Sequence, residues 1–194
     1  VLGTLLAVFS AHATGYRVVT VASGLEHPWS LAFLPGGRML VTERPGRLRL
    51  IEPGANGQPQ LRTEPVPGVP PVLARGQAGL FDMVLHPDFA RNGQVFLSFA
   101  HGTLDANHLR VVRARFDGAR LLDVQPVLTT QPAKTDAQHF GGRMAWLTDG
   151  TLVVGMGDGN LERTNAQRLN THLGKLLRIG ADGQVPANNP FTQT

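Results

Sequence analysis

Cysteine is absent from all 194 residues, which excludes disulfides, thiolate metal sites and a cysteine nucleophile. Aromatic residues are sparse, with a single tyrosine, and the basic residues are scattered along the chain. A nucleic-acid groove gathers Lys and Arg beside aromatics, so the net charge of +4 reads instead as a soluble surface with a mild arginine excess. Helical periodicity is also lacking. Outside the first thirteen residues no amphipathic pattern persists beyond about two turns, and the best remaining stretch, residues 165–177, is weak. No apolar run is long enough to span a bilayer. The run Val1 to Ser10 is followed by Ala11-His12-Ala13, which fits a small-residue cleavage site. Residues 1–13 therefore read as the remnant of a signal peptide, the alternative being a buried N-terminal strand. The expectation is a periplasmic or secreted protein with no membrane insertion after cleavage.

What the chain has in quantity is turn chemistry. Its 23 Gly and 14 Pro break the apolar segments into short pieces, the pattern of an all-β protein. Residues 14–194 suffice for one domain unit.

One hairpin stands out. Gln138-His139-Phe140-Gly141-Gly142-Arg143-Met144-Ala145-Trp146-Leu147 leads into Thr148-Asp149-Gly150, and Thr151-Leu152-Val153-Val154-Gly155-Met156-Gly157-Asp158 returns. Asp-Gly between apolar runs predicts a tight turn. His139 lies ten positions before Asp149 and Asp158 nine after it, so folding brings both side chains to the same end. A carboxylate beside an imidazole orients the ring and stabilises its protonated form, as a general base requires. Glycines 141, 142, 155 and 157 are expected to leave room there for a flat or bulky ligand.

The hairpin has an upstream echo. Residues 33–41 align with 146–154, Gly37 on Gly150, an offset of 113. Between them Leu85-His86-Pro87-Asp88-Phe89 and Gln94 to Phe99 form a third strand-turn-strand unit. Three units across that span give a period of about 56 residues, near the long end of repeat architectures. Four-stranded sheets arranged radially are the natural reading. The sketched strands are 28–34, 38–43, 47–51 and 59–63; then 79–86, 94–101, 108–116 and 123–129; then 140–147, 151–157 and 174–179, with a loop over 159–172. Residues 16–22 alternate weakly and could join another sheet. A closed propeller needs at least about four blades, so the chain reads as roughly half of its natural protein.

Several segments then resemble the soluble, pyrroloquinoline quinone (PQQ)-dependent aldose sugar dehydrogenases. They are Gly24 to Phe33, Arg75-Gly76-Gln77-Ala78-Gly79-Leu80, Gln138 to Arg143, Gly157-Asp158, Leu173 to Ile179 and Val185 to Phe191. The resemblance implies a six-bladed β-propeller of the soluble quinoprotein glucose dehydrogenase type, of which about three blades are here. It implies PQQ and calcium as cofactors and an aldose as substrate, oxidised at C1 to a lactone with hydride transfer to the quinone. His139 matches the family's catalytic base, Asp158 the acid that supports it, and Gln77 a contact to sugar or cofactor. Arg143 could bind the anionic quinone or pair with a carboxylate inside the blade. Ala78 departs from the family's usual second glycine, and its methyl could crowd the backbone there. The family's cofactor arginines, its lysine and its calcium-binding carbonyls come from later blades, so no metal ligand is assigned here.

Two other functions remain open on sequence grounds. A calcium-dependent lactonase would use Glu, Asn and Asp ligands in the channel, for which Gln77, His139 and Asp158 are a poor cage. A binding propeller without catalysis would make the His-Asp pair incidental. Trp29 and Trp146 are expected in the core between blades, and the His-Pro pairs at 27–28 and 86–87 in turns.

Overall fold

Short alternating segments between turns become strands, in a computed structural model of the chain that describes residues 15–191. The reading of residues 1–13 as a signal remnant lies outside the described residues. Strands β1 (Pro28–Phe33), β2 (Met39–Glu43), β3 (Arg47–Pro53) and β4 (Pro59–Leu61) form an antiparallel sheet in that order. Strands β5 (Leu80–Leu85), β6 (Gln94–Gly102), β7 (Asn107–Phe116) and β8 (Leu121–Thr129) form a second. The third is β9 (Gly141–Trp146), β10 (Leu152–Met156) and β11 (Leu176–Ile179), with β10 in the middle. The first strands of successive sheets begin at 28, 80 and 141, intervals of 52 and 61 that average close to the repeat read from the sequence. These first strands lie side by side, β1 against β5 and β5 against β9, as blades around a channel do.

The middle sheet is apolar on both faces because successive side chains of a strand point to opposite sides. Val95, Leu97 and Phe99 of β6 pack with Leu40, Leu48 and Leu50 of the first sheet. Phe96 and Ala100, on the other face, pack with Met144, Leu152, Val154 and Ile179 of the third. Each such buried side chain contributes roughly 1.5–3 kcal/mol. The outer faces of the flanking sheets carry exposed Leu31, Phe33 and Leu176.

Asp82 of β5 joins all three sheets. Its Oδ1 accepts the Ser30 hydroxyl of β1 at 2.6 Å and its Oδ2 the Met144 N–H of β9 at 2.8 Å. The tryptophans sit between blades as expected. Trp29 tilts against Phe81, with ring centroids 5.8 Å apart, and the Trp146 indole donates to the Leu85 carbonyl at 2.7 Å.

The weak pattern over 165–177 forms no α-helix: residues 160–167 wind as 3-10 turns within the loop sketched over 159–172, and β11 from Leu176 falls within the strand sketched over 174–179. Gly174 at φ +68° turns the chain there, and Leu173 is drawn wholly into the core. Residues 16–22 pair with no strand among the described residues, and Tyr16 and Val18 are almost fully exposed.

Candidate active site

The turn that sets the site forms where Asp149-Gly150 predicts it. Gly150 N–H donates to the Leu147 carbonyl at 3.0 Å, and Leu147 N–H to Thr151 at 2.8 Å. Asp149 accepts the Thr151 hydroxyl and N–H and pairs with Arg178. From there β9 and β10 pair antiparallel from Leu152–Trp146 to Met156–Gly141, with a register shift between Val154 and Met156.

At the far end of this ladder His139 Nδ1 lies 2.8 Å from Asp158 Oδ1. The juxtaposition inferred from counting residues about the turn is present. Both side chains remain accessible, 41% and 36% exposed, so a ligand can reach the ring. The Asn160 N–H, 2.9 Å from the same Oδ1, and then the His139 ring hold the Asp158 carboxyl below the usual carboxylate range. An ionised carboxylate only accepts, so Nδ1 carries the donated proton, and in the neutral ring this leaves the lone pair on Nε2.

Gln77 is brought to the same place from the loop between the first two sheets. Its Oε1 accepts the His139 N–H at 3.0 Å, and its own N–H donates to the Ala137 carbonyl at 3.0 Å. His139 has φ +51°, a conformation uncommon for a residue with a side chain, and the Gln77 carboxamide secures it. Ala78 is wholly buried in the hydrophobic cluster that includes Phe81, Phe140 and Met144.

Arg143 on β9 pairs with a carboxylate, but with one on β5 of the neighbouring blade rather than inside its own. Its Nη1 is 3.3 Å from Asp82 Oδ1 and its guanidinium lies 4.2 Å from the centre of the Trp29 ring. The side chain stays 70% exposed, so most of that cation is open to a second partner.

The glycines serve a different purpose from the one expected. A β-carbon on Gly141 would stand 2.8 Å from the Gly155 carbonyl oxygen, and one on Gly142 2.9 Å from the Phe81 ring. One on Gly157 would overlap the His139 carbonyl. The protein's own backbone and core occupy that space, and no ligand is accommodated by it. Gly155 alone has ordinary clearance.

Three functional neighbours escape the sequence reading. Asn160 Nδ2 donates to Asp136 Oδ2 at 2.8 Å. Lys134, wholly buried, sets its Nζ 2.8 Å from Asp136 Oδ1 and 3.9 Å from the centre of the Phe140 ring. Burial pushes the Lys134 ammonium below its ordinary value, which Asp136 partly offsets. Burial acts to raise the Asp136 carboxyl, but hydrogen bonds from Lys134, Asn160 and the Gln138 N–H outweigh it and lower it. The available signal was Asn160 two positions beyond Asp158, the spacing of an Asx turn. A cavity of about 600 Å3 runs along β11 beside Leu128, Leu169 and Val185, and His139 is not among its lining residues.

The family model for glucose / sorbosone dehydrogenases matches residues 25–194. The aldose sugar dehydrogenase YliI of Escherichia coli is 37% identical over 189 residues, covering 95% of this chain and 49% of that protein. A solved glucose dehydrogenase superposes with a TM-score of 0.82 at 39% identity, over 91% of this chain and 54% of its own. The PQQ-bound aldose sugar dehydrogenase of Streptomyces coelicolor does so with a TM-score of 0.71 at 33% identity, over 90% and 51%. The chain thus spans about half the length of the curated relatives it matches, and its antiparallel sheets share the dehydrogenases' all-β fold. By the match over residues 25–194, the chain belongs to the glucose / sorbosone dehydrogenase family.

Proposed function

We propose that the protein is a PQQ-dependent aldose sugar dehydrogenase in which His139 is the general base and Asp158 its orienting acid. The 2.8 Å hydrogen bond between His139 Nδ1 and Asp158 Oδ1 carries this reading. With Nδ1 committed to the carboxylate, Nε2 takes the proton of the aldose C1 hydroxyl, and Asp158 stabilises the imidazolium that results. A bound PQQ would supply the hydride acceptor that oxidation of C1 to the lactone carbonyl requires. The E. coli and Streptomyces relatives, an aldose sugar dehydrogenase and a PQQ-bound one, support the substrate class and the cofactor.

The donor set suits an anionic quinone and a polyhydroxylated substrate. The Gln77 carboxamide sits beside His139, and the exposed Arg143 guanidinium offers a cation. Among the described residues no three His, Asp or Glu side chains gather as a metal site, so calcium is assigned to none of them and no step depends on it. Export to the periplasm, expected from residues 1–13, belongs to the same proposal and is checked by cell fractionation.

The test takes the protein at the length of its relatives, supplied with PQQ, calcium, an aldose and an artificial electron acceptor. Dye reduction is expected in the parent and a loss of about a hundredfold or more in His139→Ala. Unchanged turnover in that variant overturns the mechanism, and lactone hydrolysis without quinone overturns the reaction class.

A further inference from the structure

We propose that Asn160 and Asp136, braced by the buried Lys134, are positioning residues that fix the carboxylate of Asp158 against His139. Their catalytic consequence rests on the function proposed above; the placement itself rests on geometry alone.

Asp158 Oδ1 receives two donors, His139 Nδ1 at 2.8 Å and the Asn160 N–H at 2.9 Å. A carboxylate on a short side chain swivels, and the second donor decides which oxygen meets the ring. That N–H is aimed by two successive left-handed residues, Gly159 at φ +75° and Asn160 at φ +58°. Glycine takes this conformation freely, whereas a residue with a β-carbon needs compensation. The compensation is the Asn160 Nδ2 bond to Asp136 Oδ2.

Asp136 grips both arms of the site. One oxygen holds Asn160, two residues beyond Asp158; the other accepts the N–H of Gln138, just before His139, at 3.3 Å. Lys134 then anchors Asp136 through its carboxylate and its carbonyl. The Lys134 backbone is tied in turn to Asn107 at the start of β7 by two bonds of 2.9 Å. A wholly buried ammonium is costly unless paired, and its partners here are the groups that place the His139 loop. The result is a continuous path from a rigid strand to the reacting ring: β7, Lys134, Asp136, Asn160, Asp158, His139.

The test separates positioning from simple loop stability. Asn160→Asp is nearly isosteric but sets a second carboxylate against Asp136. The exchange Asp136→Asn with Asn160→Asp restores one donor facing one acceptor and keeps the net charge of the cluster unchanged. The carboxylate moves from position 136 to position 160, and the new carboxamide oxygen at position 136 is left to accept from Lys134. Asn160→Gly, which accepts the left-handed backbone, removes the anchor without adding charge. In the protein at the length of its relatives, loaded with PQQ, Asn160→Asp and Asn160→Gly are expected to lower kcat about tenfold or more, with KM within about twofold. The double exchange is expected to recover kcat to within about threefold.

A second readout uses the protein without PQQ: the imidazole Nδ1–H proton resonance of His139, identified by its loss in His139→Gln. It should move in both single variants and return in the exchange. Should that resonance stay in place in Asn160→Gly, or fail to return in a folded double variant, the positioning role is refuted. Absence of dehydrogenase turnover in the parent, with the resonance responding as described, would refute the proposed function and leave the positioning intact.

Discussion

Gly157 and His139 meet backbone to backbone: the α-carbon of one lies so close to the carbonyl of the other that no β-carbon fits between them. Gly157 N–H donates to the Phe140 carbonyl at 2.9 Å in the same crossing. Gly157→Ala is therefore expected to force the two arms apart. A destabilisation of about 1–3 kcal/mol is expected, as for overpacking elsewhere, together with loss of the His139–Asp158 hydrogen bond. Urea unfolding measures the first and the His139 imidazole resonance the second. An unperturbed protein would show that the crossing is more compliant than its geometry implies.

Asp158→Asn keeps an oxygen to accept from His139 and Asn160 but removes the charge that stabilises an imidazolium. Turnover is expected to fall roughly a hundredfold or more with little change in folding stability. Steady-state kinetics beside a melting curve distinguish this outcome from a structural one.

Asp82 is the polar rivet of the interior. Asp82→Ala strands the Ser30 hydroxyl proton and the Met144 N–H in a buried setting and leaves the Met83 N–H only its 3.4 Å bond to the Ser30 oxygen. A loss of about 3 kcal/mol or more is expected, since each stranded group costs about 1–3 kcal/mol. Arg143→Ala, by contrast, removes an exposed partner of the same carboxylate and should cost about 1 kcal/mol or less. Denaturant midpoints for the two variants test the contrast. Weakened PQQ binding by folded Arg143→Ala, read by quinone titration, would assign the open guanidinium to the cofactor.

Acid should loosen the hairpin at its turn. The Thr151 hydroxyl and N–H, followed by Arg178, draw the Asp149 carboxyl from its ordinary 3.8 down to about 2. A depressed folded-state value means the unfolded chain takes up the proton first. The contribution is thus fully present above the ordinary value and disappears as pH falls through about 2. The stability gap between the parent and Asp149→Ala should be constant from pH 5 to 7 and shrink as pH falls from about 4 to about 2. Denaturant unfolding at stepped pH checks it, and a constant gap throughout would contradict the assignment.

Local chemistry made much of this legible beforehand. The offset of 113 between the two hairpins reappears as the same closing bond, Leu34 N–H to Arg38 and Leu147 N–H to Thr151, both 2.8 Å. The His86-Pro87 pair leads into a turn, His86 Nδ1 accepting the Asp88 N–H at 3.0 Å, whereas Pro28 of the other pair opens β1. The glycines at 141, 142 and 157 show where such reading stops. Their presence was plain, but whether a ligand or the protein's own backbone fills the space beside them depends on which strand crosses where.

The sequence by itself determined the strands, their turns and the meeting of His139 with Asp158, because each depends on near neighbours and on residue counts about one tight turn. Only the tertiary structure decided that Asp82 would join three sheets, that Gln77 would secure the His139 backbone from 62 positions away, and that a buried Lys134 would stand behind the site. Those pairings link segments whose approach is settled by packing of whole sheets, and a burial that makes a charge expensive or useful has no signature in a linear string of residues.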